Sequence, residues 1–220
     1  MFIGYKIKVS LGGENLMDCM KMDTRKTLVR LFNALPENKD VDIYADGILL
    51  FENIGFKEFT KYVYAILGTH RVEIYETGEI SNPILATEMN LPVGQIFTLA
   101  IIESDGEYSL LVVKDDINEV PSSQNAVGRS VNILDGSYAI DLLFNGEPSV
   151  SNITYKDETP YVFIPSGIYK ITVKESVTGN VLLEKNIEFK VNRIYTLYIV
   201  GNTSNIDIVQ SVDGNTYVCR

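Results

Sequence analysis

The 220-residue chain is poor in the residues on which many functional sites depend. It contains no tryptophan, one histidine and two cysteines. His70 would have to serve any Ser-His-Asp or Cys-His device, and no set of candidate partners accompanies it. Cys19 and Cys219 lie near opposite ends, without the spacing of a zinc site. We therefore predict no catalytic residue, no cofactor, no metal ligand and no enzymatic activity.

Long apolar runs are also missing. No segment approaches the roughly 18 apolar residues that span a bilayer, so we predict no membrane insertion. The N-terminal segment alternates apolar and polar residues, whereas a secretory signal needs a continuous apolar stretch. We expect a protein made in the cytoplasm, with spore or cell-surface association left open. Reduced thiols are then the default, and a disulfide between Cys19 and Cys219 is the alternative.

Basic residues are scarce relative to acidic ones. The chain has 19 Lys and Arg against 29 Asp and Glu, a formal charge of −10. Nucleic-acid binders concentrate positive charge to displace counterions, and docking on anionic lipid needs the same, so both partner classes are disfavoured. A solvated acidic surface accounts for this charge. Calcium binding by oxygen-rich loops is the alternative, although no twelve-residue ligand loop is present.

What the sequence does contain is an internal repeat. A shift of 99 positions aligns residues 30–74 with 129–173 without a gap, giving 12 identities in 45 pairs. The identities begin at Arg30/Arg129 and continue through Asn33/Asn132, Leu35/Leu134, Asp42/Asp141, Gly47/Gly146, Asn53/Asn152, Ile54/Ile153, Lys57/Lys156, Thr60/Thr159, Tyr62/Tyr161, Val63/Val162 and Gly68/Gly167. Such self-similarity indicates duplication of a structural unit.

The repeat divides the chain into four segments. We predict an N-terminal β arm at 1–25, a first repeat at 26–118, a linker at 119–123 and a second repeat at 124–220. The linker lies within the polar segment INEVPSSQN, which carries a proline and two serines.

Each repeat has the pattern of short β-strands joined by tight turns. Alternating segments end at Asp46-Gly47 in the first repeat and at Asn145-Gly146 in the second. These dipeptides tolerate two positive φ angles, so we predict equivalent hairpin tips there. About seven strands at spacings near ten residues, with almost no helical periodicity, predict an all-β fold of two tandem immunoglobulin-like β-sandwich domains.

The arm adds one more predicted strand. Ile3, Tyr5, Ile7, Val9 and Leu11 alternate with polar residues or glycine, the period of a half-buried strand. A lone strand cannot satisfy its own backbone groups, so we expect it to pair with a sheet edge in its own chain or in another copy.

The repeated polar and aromatic residues favour structural roles. Asp42 and Asp141 alternate with core residues and are expected to face outward. The hairpin turns account for the presence of Asp46 and Asn145. Two oxygen-rich segments end the repeats, Asp115-Asp116 and Asp213-Gly214-Asn215. Calcium binding at these segments is the alternative to a structural role. The recurring aromatic pairs are predicted to pack in or beside the sandwich cores; they are Tyr62/Tyr161, Phe56/Tyr155 and Phe97/Tyr195.

Several short motifs recur along the two repeats. The first repeat contains Val41-Asp42-Ile43-Tyr44, Asp46-Gly47 and Asn53-Ile54-Gly55-Phe56, and the second contains Ile164-Pro165-Ser166-Gly167-Ile168-Tyr169 and the segment Tyr195 to Gly201. These motifs resemble those of the bacterial domain-of-unknown-function family 4397. The histidine of the family's opening motif is replaced by Asn33 and Asn132. The resemblance implies an immunoglobulin-like sandwich of cell-surface and adhesion-associated proteins, and it implies no reaction.

Two functions remain from different classes. The first is a non-catalytic binding or structural protein that contacts a protein partner or itself in a bacterial envelope, spore or surface layer. The alternative is a carbohydrate-binding adhesin module. An aromatic platform of exposed tyrosines would favour the sugar, whereas an apolar patch related by two-fold symmetry would favour assembly.

Overall fold

The computed structural model describes residues 22–23, 25–35, 39–65, 67–115, 120–136, 139–202 and 204–218. Within these ranges the regular structure is sixteen β-strands and one short 3₁₀ turn, Gly214–Tyr217. The predicted fold class, all-β with two tandem sandwiches, is confirmed. The alternating part of the arm, Cys19 and Cys219 lie outside the described residues.

The first repeat consists of eight strands in two four-stranded sheets. In chain order they are β1 (Thr27–Asn33), β2 (Val41–Ala45), β3 (Ile48–Ile54), β4 (Val63–Ala65), β5 (Gly68–Glu76), β6 (Leu85–Leu91), β7 (Ile96–Ser104) and β8 (Glu107–Lys114). One sheet has the order β4-β1-β7-β8 and the other β3-β2-β5-β6. β1 and β7 run parallel, and the other neighbours in these sheets run antiparallel.

The second repeat has the same eight strands in the same arrangement. They are β9 (Asn125–Asn132), β10 (Ile140–Phe144), β11 (Glu147–Ile153), β12 (Val162–Pro165), β13 (Gly167–Glu175), β14 (Val181–Phe189), β15 (Ile194–Asn202) and β16 (Asn205–Val212). The sheets have the orders β12-β9-β15-β16 and β11-β10-β13-β14, and β9 runs parallel to β15. Each strand of the first repeat therefore has a counterpart in the same sheet position.

The hairpin prediction is confirmed at both tips. Asp46 and Gly47, between β2 and β3, have φ angles of 51° and 74°. Asn145 and Gly146, between β10 and β11, have φ angles of 51° and 86°. Two consecutive positive φ angles match the twist of adjacent strands, which is why both repeats keep Asp or Asn followed by glycine there.

A second repeated feature explains the identity of Asp42 with Asp141. Asn53 and Asn152 adopt positive φ at irregularities in β3 and β11. The backbone N–H of Asn53 donates to Asp42 Oδ1 at 2.7 Å, and that of Asn152 donates to Asp141 Oδ1 at 2.8 Å. The expectation that these aspartates face outward is wrong for Asp42, which is only 9% exposed, and each aspartate holds a bulge of the neighbouring strand in place.

Each sandwich encloses its own apolar core, and a third apolar cluster lies between the repeats. In that third cluster Phe32 and Ala100 of the first repeat contact Val131 and Tyr198 of the second. The Phe32 and Tyr198 ring centroids are 5.0 Å apart. The sheets that contain β1 and β9 therefore pack against each other, and the four sheets form successive layers.

This layering explains why the sequence pattern did not identify β1 and β9 as strands. All seven residues of β1 are buried, as are seven of the eight in β9. One face of each strand covers its own sandwich core and the other face covers the opposite repeat, so the alternation of a half-buried strand is lost.

Candidate functional site

Each central sheet directs one arginine at the opposite repeat. On β1, Val29 and Leu31 belong to the sandwich core, so Arg30 between them points the other way. Arg129 holds the same position on β9. The side chains of Arg30 and Arg129 are only 7% and 5% exposed. Charges buried to this degree require partners, and these define the site.

Six side chains, three from each repeat, form a closed circuit that we call the ring. Its members are Arg30, Tyr62 and Asp115 of the first repeat and Arg129, Tyr161 and Asp213 of the second. Within a repeat the arginine stacks on the tyrosine, and the tyrosine hydroxyl donates to the aspartate. Between repeats the guanidinium and carboxyl groups face each other at 3.8 and 3.7 Å. The ring therefore has approximate two-fold symmetry.

Arg30 is held by contacts on both sides of the domain boundary. Its Nε donates to Thr98 Oγ1 at 2.9 Å, within its own repeat. Its Nη2 donates to Ser211 Oγ of the second repeat at 2.6 Å. The guanidinium carbon lies 4.4 Å from the centroid of Phe59 and 4.6 Å from that of Tyr62. Two aromatic faces and a rigid set of donors suit arginine better than lysine.

Arg129 repeats this arrangement with one difference. Its Nε donates to Thr196 Oγ1 at 3.1 Å, and its guanidinium carbon lies 4.5 Å from the Tyr161 centroid. Where Arg30 stacks on Phe59, the second repeat has Glu158, which accepts a hydrogen bond from Arg129 Nη1. The second half of the ring therefore includes an additional carboxylate.

The two aspartates accept hydrogen bonds through their Oδ2 atoms. Asp115 Oδ2 accepts from Tyr62 Oη at 2.9 Å and from the backbone N–H of Gly214 at 2.9 Å. Asp213 Oδ2 accepts from Tyr161 Oη and from Thr196 Oγ1, both at 2.8 Å. The Gly214 contact crosses between the repeats, so the end of β8 is joined directly to the turn that follows β16.

Burial sets the electrostatics of the ring. Burial and the neighbouring Asp115 carboxyl raise the pKa of Asp213 to about 7, against the lowering effects of Arg129, Thr196 and Arg30. Burial likewise raises the pKa of Asp115, against the effect of Arg30. The pKa values of Tyr62 and Tyr161 are raised above their ordinary range by burial and by the adjacent carboxyl groups. The tyrosines are therefore neutral donors at all working pH values.

Other contacts between the repeats surround the ring. Lys57 Nζ lies 2.8 Å from Asp207 Oδ2 of the second repeat, and Tyr155 Oη donates to the Glu103 carbonyl of the first at 3.2 Å. Lys57 adjoins Phe56, the counterpart of Tyr155. With both aspartate side chains of the ring 0% exposed, the arrangement encloses its polar groups. Its chemistry is that of a joint between domains, since its charged groups face each other across the boundary between the repeats.

His70 lies outside the ring, and its position differs from the one expected from the sequence. Its correspondence to Tyr169 suggests a surface or rim position, but the residue is only 6% exposed. Its Nδ1 lies 2.7 Å from Asp46 Oδ2, at the tip of the β2–β3 hairpin. This contact joins β5 to the tip of the hairpin.

The acidic segments considered for calcium are used differently. Asp115 and Asp213 are buried opposite arginines, Asp46 binds His70, and Asp42 and Asp141 hold strand bulges. In the part of the chain that the structure describes, no group of three or more His, Cys, Asp or Glu side chains is placed to hold a metal ion.

Of the three recurring aromatic pairs, one packs in the sandwich cores as predicted, and the other two lie between the repeats. Phe97 and Tyr195 are 2% and 5% exposed in the two sandwich cores. Phe56 and Tyr155 pack against the apolar cluster between the repeats. Tyr62 and Tyr161 belong to the ring, a role that sequence reasoning missed. The sequence did contain a signal for this role. Arg30 recurs as Arg129 and Tyr62 as Tyr161, and each repeat ends with an aspartate.

The family model described as Domain of unknown function (DUF4397) matches residues 27–132 and 129–218. The chain belongs to this family. Two tandem matches confirm the resemblance and the duplication. In these DUF4397 repeats, the ring residues Arg30, Tyr62 and Asp115 fall in the first match, and Arg129, Tyr161 and Asp213 in the second. The comparison with curated proteins gives no match.

Three solved structures show distant similarity. The family CBM26 module CBMbc from Eubacterium rectale Amy13K, in complex with maltoheptaose, is 11% identical over 87% of this chain and 99% of its own, with a TM-score of 0.28. The Bacillus anthracis TIE protein is 11% identical over 81% of this chain and 34% of its own, with a TM-score of 0.27. The fimbrial anchor protein Mfa2 from Porphyromonas gingivalis is 12% identical over 86% and 98%, with a TM-score of 0.20. Likeness at this level does not indicate function.

The described ranges contain no helix with the length and hydrophobicity needed to cross a bilayer.

Proposed function

We propose that this protein is a non-catalytic binding or structural protein that contacts a protein partner, or a second copy of itself, in a bacterial envelope, spore or surface layer. The ring supports this proposal because its buried charged groups join the two repeats to each other. As part of the same proposal, the repeats extend over 26–118 and 124–220, and no residue is catalytic or binds a cofactor or metal.

The observation that carries the proposal is the edge strand β12. This strand pairs with β9 on one side, and among the described residues no strand pairs with its other side. Val162 and Phe163 on β12 are 49% and 51% exposed, whereas their counterparts Val63 and Tyr64 on β4 are partly buried. An unpaired strand edge with exposed apolar side chains supports addition of another strand. At this edge the second repeat therefore exposes apolar side chains that the equivalent β4 edge of the first repeat partly buries.

Carbohydrate binding has less support. A sugar platform would need several exposed aromatic rings on one face. Among the described residues, the aromatic side chains counted as exposed are Phe163 and Tyr217, the latter at 48%. One lies on the edge strand β12 and the other in the turn after β16. An apolar patch of each repeat contributes to the cluster between the repeats, and there the two patches cover each other.

Light scattering on the full chain over a range of concentrations tests the proposal. We expect reversible association that Phe163→Lys weakens by at least about tenfold, because a charge on the edge strand opposes pairing. Val177→Lys is the matched control, since Val177 is 88% exposed in the turn between β13 and β14. A wild-type chain that stays monomeric at all concentrations, or equal effects of both variants, would contradict self-association through this edge.

A further inference from the structure

The ring and its surroundings hold more carboxyl than guanidinium groups. Arg30 and Arg129 face three acids, namely Asp115, Asp213 and Glu158. Glu158 is 32% exposed at the rim, whereas the two aspartate side chains are fully buried. If every group were ionised, the cluster would carry one excess negative charge, and two of its three carboxylates would have no contact with solvent. Such an uncompensated charge is strongly unfavourable.

The hydrogen-bond pattern of the aspartates points to the same imbalance. Each Oδ2 atom accepts two hydrogen bonds, but the Oδ1 atoms of Asp115 and Asp213 are buried without a hydrogen-bond partner in the described part of the chain. The facing arginine nitrogens, at 3.7 and 3.8 Å, lie beyond hydrogen-bond distance. An ionised carboxylate oxygen without a donor is costly, and a proton on that oxygen removes its charge.

We propose that the docked repeats bind one proton from solution on the Asp115–Asp213 pair, so that the contact between the repeats weakens as the solution changes from mildly acidic to alkaline. The joint is then sensitive to pH in the neutral range, although it contains no histidine. The inference concerns the joint alone and does not depend on the proposed association through β12.

The groups facing the pair come from every element packed around it. Arg30 on β1 and Arg129 on β9 are the cations, and Glu158 before β12 is the further acid. The neutral groups are Tyr62, Tyr161, Thr98, Thr196 and Tyr198. Burial raises the pKa of all three acids, and the pKa of Asp213 rises to about 7.

The direction of the pH effect follows from these raised values. The folded chain binds a proton that the unfolded chain, with ordinary aspartates, releases above about pH 4. Stability from this source is complete below that pH and is lost as the pH rises through about 7. Carboxyl groups such as Asp46, whose pKa is lowered by its hydrogen bond with His70, act oppositely and only in the acidic range. The two effects therefore occupy different pH windows.

Denaturant unfolding of the full chain at pH values from 5 to 8 tests the proposal. For one proton released on unfolding, the unfolding equilibrium constant should increase by up to about tenfold per pH unit between pH 5 and 7. Asp213→Asn and Asp115→Asn keep the shape of the side chain but remove its titration. We expect the increase to disappear in at least one of them. Glu147→Gln, at an exposed hairpin position, is the matched control and should keep the wild-type slope.

A second measurement needs no variant. The side-chain carboxyl carbons of labelled wild-type protein, followed by NMR, should show an aspartate titrating near pH 7 in addition to the ordinary ones. A wild-type unfolding constant that stays level from pH 5 to 7 would overturn the proposal. So would a slope that persists in both Asn variants, or a spectrum in which all aspartates titrate below about pH 5.

Discussion

The two repeats have the same strand arrangement, and each contributes an arginine, a tyrosine and an aspartate to the ring. They differ in the size of the side chains that fill one end of the sandwich core. In the second repeat this end holds an aromatic cluster made of Phe144, Tyr169, Phe189 and Tyr195. Neighbouring ring centroids in the cluster lie 5.4 to 6.2 Å apart. Several pairs meet edge to face, the arrangement that aromatic rings prefer.

In the first repeat the equivalent positions carry smaller side chains. Ala45, His70 and Leu91 stand where the second repeat has Phe144, Tyr169 and Phe189, as the strand pairing shows. A narrow apolar crevice lies among them, with a cavity of about 20 Å³. This is roughly the space of one water molecule, and an apolar cavity of that kind does not hold water well.

A compensating exchange occurs on the neighbouring strands. Val29 and Ala65 in the first repeat are replaced by Gly128 and Ile164 in the second. A Cβ atom at Gly128 would lie 2.7 Å from Ile164 Cδ1 and 3.6 Å from a Phe189 ring carbon. The comparison teaches that the duplicated fold accepts exchanges of side-chain size in its cores, whereas the six ring residues recur as the same residue types.

The largest effect expected from this comparison is at Phe189. We expect Phe189→Ala to lower the free energy of unfolding by about 3–5 kcal/mol, because three aromatic neighbours lose their contact. Leu91→Ala, the matched change in the first repeat, should cost only about 2–3 kcal/mol, since the side chain is smaller and the crevice can collapse. Chemical denaturation of both variants measures the difference. Equal losses would show that the two core ends do not differ in packing.

A smaller effect is expected at Gly128. Gly128→Val should cost about 1–3 kcal/mol because the added methyl groups meet Ile164 and Phe189. In a Gly128→Val/Ile164→Ala double variant, which restores the pair found in the first repeat, at least half of this loss should be recovered. Denaturation midpoints at one pH provide the test. If the second substitution only adds to the loss, the exchange is not compensating.

The smallest effect is expected at His70. His70→Ala removes the contact with Asp46, and the loss of this contact by itself should cost about 1 kcal/mol. Asp46 Oδ1 still accepts the backbone N–H of Arg71 at 3.0 Å, so the hairpin should persist. Tyr169→Phe is the matched variant, and it should cost less because its hydroxyl bond to the Pro165 carbonyl is exposed. Thermal unfolding distinguishes the two, and a collapse of the fold in His70→Ala would contradict this account.

Local turn chemistry made much of the fold predictable from sequence. Asp46-Gly47 and Asn145-Gly146 indicated both hairpin tips, because positive φ angles restrict which residues fit. The strands next to them alternated and were recognisable for the same local reason. β6 and β14 were not recognised, since they lie outside the aligned part of the repeat and have little sequence in common.

The sequence by itself determined the duplication and the sandwich class. It also showed that both repeats contain the arginine, tyrosine and aspartate that form the ring. It could not show that Arg30 contacts Asp213, which is 183 positions away, rather than an acid of its own repeat. Only the tertiary structure decided this, because the partner of a buried arginine depends on which sheet faces meet. Stacking of the two central sheets brings those faces together, buries β1 and β9 on both sides, and leaves the charged groups of each repeat to be paired by the other.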